Sequence, residues 1–215
     1  IVVFTGDLVN FEKDEIDPYL DVFANIKARY GKFSVTGNHD YLGVYDRNNP
    51  EAENAYYEDF ANKHTRMGFE LLNNTNRTIT IDNQSIQIIG VENWGRDKWF
   101  PKKGDLAKAT AGLADGTFNV LMSHDPTHWD EQIKHFHKKI HLTMSGHTHG
   151  FQFGVQLKNF KWSPAEYRYE KWLGLYTEHD RHLYVNRGFG FLGFPGRVGM
   201  WPEITCFELK VKSNQ

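Results

Sequence analysis

Phe33-Ser34-Val35-Thr36 runs straight into Gly37-Asn38-His39-Asp40, an apolar strand that stops on a polar turn. The aromatic and β-branched residues favour a strand, and the glycine lets the backbone turn sharply. The same arrangement recurs elsewhere. Ile1-Val2-Val3-Phe4 leads to Gly6-Asp7, Phe118 to Met122 leads to Ser123-His124-Asp125-Pro126, and His141 to Met144 leads to Gly146-His147-Thr148-His149-Gly150. In sheets flanked by helices, ligands gather at the carboxyl ends of strands. If these strands are neighbours, Asp7, Asn38, His39, His124, His147 and His149 meet on one rim. A carboxylate, an amide oxygen and neutral imidazoles form a mixed oxygen and nitrogen donor set suited to Mn, Fe or Zn. Taken singly, each piece is weaker. Gly6-Asp7 is a common turn, and His124 reads equally well as a satisfied buried histidine or as a ligand.

Working outward from the Phe33 strand, a helix is predicted over Asp17 to Tyr30. Asp17 would be its cap, Pro18 its first residue and Gly31 its stop, with Leu20, Phe23, Ile26 and Tyr30 on one apolar face. A second helix follows over Glu51 to Met67, then strands at Phe69–Leu72, Arg77–Asp82 and Ile86–Val91. Further on come a tryptophan- and lysine-rich loop (Trp94 to Gly104), a helix capped by Asp105, and helical residues near Asp130–Lys139. The remainder reads as strands at Leu173–Thr177, His182–Asn186 and Ile204–Val211, the last placing Cys206 among buried, inert positions. This βαβ rhythm implies an α/β fold. No repeat or linker interrupts it, so residues 1–215 are expected to form a single domain. The chain starts at Ile1, inside what reads as a buried strand, and we expect it to be N-terminally truncated.

Composition excludes several classes of function. Lys and Arg total 25 against 27 Asp and Glu, a net charge of −2, which gives no bulk electrostatic case for nucleic acid. The single cysteine rules out a disulfide framework and a cysteine-based zinc knot. No apolar run approaches the ~18 residues that a membrane-spanning helix needs. With 40% hydrophobic and 24% charged residues, the chain has the composition of a folded domain.

Gly6-Asp7-Leu8-Val9-Asn10, Gly37-Asn38-His39-Asp40, Ser123-His124-Asp125-Pro126 and Gly146-His147-Thr148-His149 resemble, in order, the motifs of calcineurin-like metallophosphoesterases. The segment Leu183 to Gly188 through Pro202 to Thr205 is similar to a bacterial branch that includes cell-envelope phosphoesterases and enzymes hydrolysing UDP-2,3-diacylglucosamine. The resemblance implies a four-layer α-β-β-α sandwich of two mixed sheets, with its first strand outside this chain. It implies two divalent metal ions, Mn among them. Asp7 would bridge the ions, Asn38, His124 and His147 would complete the second, and His149 would bind the first. His39 would act as general acid or charge stabiliser while a two-metal-activated hydroxide attacks phosphorus. Asp40 would either orient His39 or cap the next turn, and Asn10 has no assured ligand role. The family's opening Asp-x-His motif has no counterpart before Asp7, so the first-metal site is incomplete here. Asp180 and His182 have that spacing but lie late in the chain, in a polar turn.

The implied activity is hydrolysis of a phosphate ester or diphosphate. The alternatives are a degenerate module that binds metal and phosphate without turnover, and a scaffold. The implied substrate is a phosphorylated small molecule or a lipid-linked one, with contact at a membrane surface and with a missing N-terminal region as the attachment. Arg187 and Arg197 are candidates to grip its phosphate. Phe189, Phe191, Leu192 and Phe194, interleaved with glycines, either fill the core between the sheets or form an apolar lip beside the metals. Trp94, Trp99 and Phe100 form a second candidate edge. The aromatics from Trp162 to Trp172 either stack a nucleotide base or pack on a neighbouring loop.

Overall fold

Val2 and Phe4 pack to one side of the first strand and Val3 to the other, and this alternation sets the layering of the protein. The computed structural model describes residues 1–43, 49–158 and 160–210. Along the chain it contains β1 (Val2–Phe4), α1 (Leu20–Ala24), β2 (Lys32–Ser34), α2 (Pro50–Arg66), β3 (Glu70–Leu71), β4 (Thr75–Ile81) and β5 (Gln84–Gly90). There follow α3 (Leu106–Ala109), β6 (Phe118–Met122), α4 (Thr127–Glu131), β7 (Leu142–Ser145), β8 (Val155–Leu157), β9 (Phe160–Trp162), β10 (Gly174–Glu178) and β11 (Arg181–Val185).

Strands β1-β2-β3 form one sheet and β10-β11-β7-β6-β5-β4 the other, with β8-β9 as a separate hairpin. The six-stranded sheet is mixed, and the small sheet is parallel at both pairings among the described residues. Three apolar clusters glue four layers together. Val9, Ile16, Leu20, Phe60 and Met67 join the helices to the small sheet. Phe33, Val35, Leu72, Ile88, Val120 and Met122 fill the space between the sheets. Ile89, Leu121, Trp129, Ile133 and Leu183 seal the large sheet under α3 and α4. Burial on both faces explains why Phe118 to Met122 reads as a near-continuous apolar run.

Helix α2 forms where expected: Asn49 Oδ1 accepts from the N–H groups of Glu51 and Ala52 at 3.1 Å, and Pro50 opens the first turn. The preceding helix is shorter than predicted. Glu15 accepts backbone N–H groups and starts a 3-10 turn at Lys13–Tyr19, with Pro18 inside it, and Asp17 is not a cap. Lys32 Nζ then takes the Phe23 carbonyl at 3.0 Å, so the helical run ends at Ala24 and Ile26 stays exposed. Likewise Gln132, at φ −137°, breaks the predicted Asp130–Lys139 helix into α4 and a 3-10 turn at Ile133–His135. Residues 201–210 form no strand. They are tethered by Glu203 N–H to Gly188 O at 3.0 Å, and Cys206 is exposed, not buried. Val211 lies outside the described residues.

Because β1 runs parallel to β2, and β6 to β7, all four carboxyl ends lie at one edge of the sandwich. The two sheets are tied at that edge by His124, whose Nδ1–H donates to Thr5 O at 2.8 Å.

Candidate metal centre

The Thr5 bond fixes the His124 ring with Nε2 facing inward, 2.9 Å from Asp7 Oδ2 and 3.2 Å from His147 Nδ1. His147 Nδ1 lies 2.8 Å from Asn38 Oδ1. Atoms bound at about 2.1 Å stand roughly 3.4 Å apart around a tetrahedral ion and roughly 3.0 Å apart around an octahedral one, so these spacings are close to those of a small cation's ligands. Among the described residues, Asp7, His124 and His147 form a cluster whose ligand atoms all lie within 4.8 Å of one another. The outer nitrogen of His147, Nε2, meets Tyr169 OH at 2.9 Å and Asp125 Oδ2 at 3.5 Å. That placement puts the Nε2 proton outward and turns the Nδ1 lone pair to the centre, the usual division of labour in a histidine ligand. His149 falls outside this cluster, yet its Nδ1 is buried and has no hydrogen-bond partner among the described residues. An orphaned, buried imidazole nitrogen within the field of Asp7 fits a ligand to a further ion.

The backbone is shaped around these groups. Asp7, His147 and His149 have φ of 57°, 68° and 50°, left-handed conformations that cost a non-glycine residue free energy and concentrate at functional sites. A Cβ on Gly37 would stand 2.3 Å from Asp7 Oδ1 and 2.7 Å from His124 Cε1, so a side chain there would occupy the centre itself. Asp40 holds the two loops together. Its Oδ2 accepts from Asp7 N–H at 2.9 Å and Gly37 N–H at 2.8 Å, and its Oδ1 from Leu8 at 2.8 Å and Val9 at 3.3 Å. Asp40 therefore staples the Asp7 turn to the Asn38 turn and does not orient His39. The orienting group is the Asn10 carbonyl, 2.7 Å from His39 Nδ1. Glu15 in turn clamps that loop by accepting from the N–H groups of Asn10, Phe11 and Glu12 at 2.8–3.0 Å.

Charge is distributed unevenly. Burial opposes protonation of His124, but the adjacent Asp7 carboxylate outweighs it and raises the imidazole to about 9. Burial likewise opposes ionisation of Asp7, and the His124 ion pair overcomes it, holding that carboxyl well below its usual range. Burial keeps His147 below the ordinary histidine value and takes His149 down to about 4, so both are neutral, the form that ligates. Burial, and then the Asp7 charge, push Asp40 up to about 7, against the pull of its backbone donors.

The sequence profile of the calcineurin-like phosphoesterase family matches residues 1–151, which contain every one of these cluster residues. The chain belongs to that family. It is a metallophosphoesterase, a metal-dependent hydrolase of phosphoesters. Similar proteins include the uncharacterized metallophosphoesterase YkuE of Bacillus subtilis, 30% identical over 98% of this chain and 68% of that protein. YkoQ of the same organism is 26% identical over 97% of this chain and 72% of its own length. A zebrafish (Danio rerio) transmembrane protein with a metallophosphoesterase domain is 29% identical over 98% of this chain, which spans 46% of it. Among the described residues of this metallophosphoesterase, no helix is long and apolar enough to cross a membrane.

Other candidates lie elsewhere. Asp180 pairs with Lys139 and His182 Nδ1 with Thr177 Oγ1, so neither turns toward the centre. Arg187 Nε sits 3.0 Å from Glu203, while Arg197 donates to the carbonyls of Gly190, His149, Met200 and Arg187. Phe189, Phe191 and Phe194 are exposed and do not fill the core between the sheets, whereas Met200 is fully buried. Tyr169 and Trp172 are buried with Ala165, Leu173 and Met200 in a small cluster of their own. Trp94 stacks on His128 at 4.6 Å, Trp99 is exposed, and the Phe100 ring lies 6.2 Å from that of His39. The sequence does not single out Glu15, and it offers Tyr169 only as one of the Trp162–Trp172 aromatics, not as a partner of His147. Tyr169 lies 22 residues from His147, and no local pattern marks it.

Proposed function

We propose that this chain hydrolyses a phosphate ester or diphosphate using two divalent cations (Mn, Fe or Zn) held by Asp7, Asn38, His124, His147 and His149. The observation that carries this reading is the inward convergence of Asn38 Oδ1, His124 Nε2, His147 Nδ1 and the Asp7 carboxylate at spacings of 2.8–3.2 Å. Cations there supply Lewis acidity to the phosphoryl oxygens and a water that ionises near neutral pH. The rest falls to the side chains. Asp7 has two carboxylate oxygens and would help to hold both cations, which a single imidazole nitrogen could not. His39 commits its Nδ1–H to Asn10 O, leaving Nε2 to hold a proton for the leaving oxygen or to stabilise its charge. Arg197 adds positive potential beside His149; its N–H groups are engaged by carbonyls, so its contribution is field and not a free fork, while the charge of Arg187 is matched by Glu203. The substrate class we favour carries its phosphate on a lipid or another amphiphile, because exposed Phe191 and Phe194 lie on the loop that Arg197 ties to His149.

Among the described residues we assign Asp7 and His149 to the first ion and Asp7, Asn38, His124 and His147 to the second, so the second is expected to be held more firmly. That imbalance also favours a second reading, a module that binds phosphate without turning it over. Hydrolysis of an aryl phosphate monoester and diester with added Mn²⁺, together with elemental analysis of bound metal, separates the two. Turnover that disappears in His147→Ala along with the bound metal supports the first. Firm metal binding without turnover of either ester supports the second, and absence of any bound metal overturns both.

A further inference from the structure

A hairpin that packs on a domain normally turns its apolar side chains inward and its polar ones to water. The β8–β9 hairpin does the reverse. Its register pairs Val155 with Trp162, Gln156 with Lys161 and Leu157 with Phe160, which places the apolar residues on one face and the polar ones on the other. Gln156 and Lys161, although exposed themselves, reach the body of the domain with their polar tips. Gln156 Oε1 accepts from Arg187 at 2.6 Å, and Lys161 Nζ donates to Leu173 O and reaches Tyr176 OH at 3.4 Å. Gly154 faces inward too, where a Cβ would meet Met200 Cε at 2.7 Å. The apolar face is left outside, with Leu157 66% and Phe160 56% exposed. It continues through the Phe153–Val198 bridge to Phe191 and Phe194 on the glycine-rich turn. Gln152 pins that turn in place by donating to the Phe194 and Gly196 carbonyls.

Charge argues for the occupant of this face. The two segments that build it, 150–162 and 187–202, hold Lys158, Lys161, Arg187 and Arg197 and no Asp or Glu. Among the described residues, Arg187 is matched by Glu203, while Lys158, Lys161 and Arg197 have no carboxylate within salt-bridge distance. A second copy of the chain would set like charges against each other. An anionic bilayer offers apolar depth for Leu157, Phe160 and Phe194, negative headgroups for Lys158 beside them, and a favourable field for Arg197 behind them. The face also borders the metal centre: Arg197 donates to His149 O at 3.3 Å, and the Phe151 ring lies 6.3 Å from that of Tyr169, which touches His147.

We propose that the outer face of the β8–β9 hairpin, with the glycine-rich turn beside it, docks on an anionic lipid bilayer surface and opens the metal centre toward it. The proposal builds on the phosphoesterase reading above but is measured without turnover. The test is co-sedimentation of the 215-residue chain with vesicles of phosphatidylcholine and phosphatidylglycerol mixed one to one, and with phosphatidylcholine alone. The chain should bind the mixed vesicles, release in high salt, and bind the neutral ones weakly. Lys158→Gln should lower partitioning about fivefold, the effect of one cation near an anionic surface. Leu157→Glu combined with Phe160→Glu should lower it at least about tenfold, by placing charge where apolar side chains enter the lipid. Both side chains are exposed, so the melting temperature should hold, and hydrolysis of a water-soluble aryl phosphate should be unchanged. Wild-type protein that stays in the supernatant overturns the proposal, as do variants that bind as well as wild type. A wild-type dimer that becomes a monomer in the double variant, without vesicle binding, assigns the face to a second copy instead. Failure of aryl phosphate hydrolysis in all forms would sink the catalytic reading and leave the vesicle result to stand or fall alone.

Discussion

Replacing Asp40 tests whether one carboxylate holds the catalytic loops in register. The side chain is 1% exposed and accepts four backbone N–H groups, two on each oxygen. Asp40→Asn keeps one acceptor oxygen. Whichever way the amide turns, its NH₂ faces a pair of N–H donors, either Asp7 and Gly37 or Leu8 and Val9. A buried donor without a partner costs about 1–3 kcal/mol, so the asparagine variant should lose roughly 2–4 kcal/mol. Asp40→Ala strands all four donors. Counting the three bonds of 2.8–2.9 Å fully and the 3.3 Å one little, the loss is about 3–6 kcal/mol once water enters the gap. Domains of this kind are stable by about 5–15 kcal/mol, so the alanine variant stands near the threshold of folding. The assay is urea unfolding at pH 8, above the raised Asp40 value of about 7, so that the wild-type carboxylate is ionised. Isothermal titration of Mn²⁺ on the folded asparagine variant reports the site. We expect weakened binding, because the Asp7 turn is no longer tied to Gly37. Wild-type stability and wild-type metal affinity in Asp40→Asn would refute the reasoning.

Other expectations follow from the same structure. His39→Ala should retain bound metal yet lose aryl phosphate turnover by about 100-fold or more, as expected for loss of a general acid; unchanged turnover with metal bound would remove it from the reaction. Tyr169→Phe takes away the oxygen beside His147 Nε2 and should weaken metal binding about tenfold, measured by competition with a chelator. His64 and His128 are both held near 4 by burial, below the ordinary value of 6.5. The unfolded chain therefore takes up these protons first. Stability is full above pH 6.5 and falls as pH drops toward 4, by about 3 kcal/mol for each histidine. Urea midpoints at pH 7 and 4.5 should show this loss, and His64→Gln should remove the share that His64 contributes. Phe60→Ala, in the cluster between α2 and the small sheet, should cost about 3–5 kcal/mol in the same assay.

The sequence by itself determined the strands that end on glycine and polar residues, the helix over Glu51 to Met67, and the family to which their order points. Those signals are local: period-two burial, a cap within three residues, and a glycine where the chain must turn. The residues proposed as ligands were legible for the same reason, each sitting immediately after a strand. Only the tertiary structure decided what those side chains do to one another. Asp40 reaches the Asp7 backbone across 33 residues, and Tyr169 meets His147 across 22. Lys32, eight or nine residues from the carbonyls it takes, ends α1 early. Cys206 and the β8–β9 hairpin were illegible for a related reason. Alternation says which residues share a face, but the surrounding fold decides which face turns inward, and in this hairpin the polar partners on the body of the domain, Arg187 and the Leu173 carbonyl, made that choice.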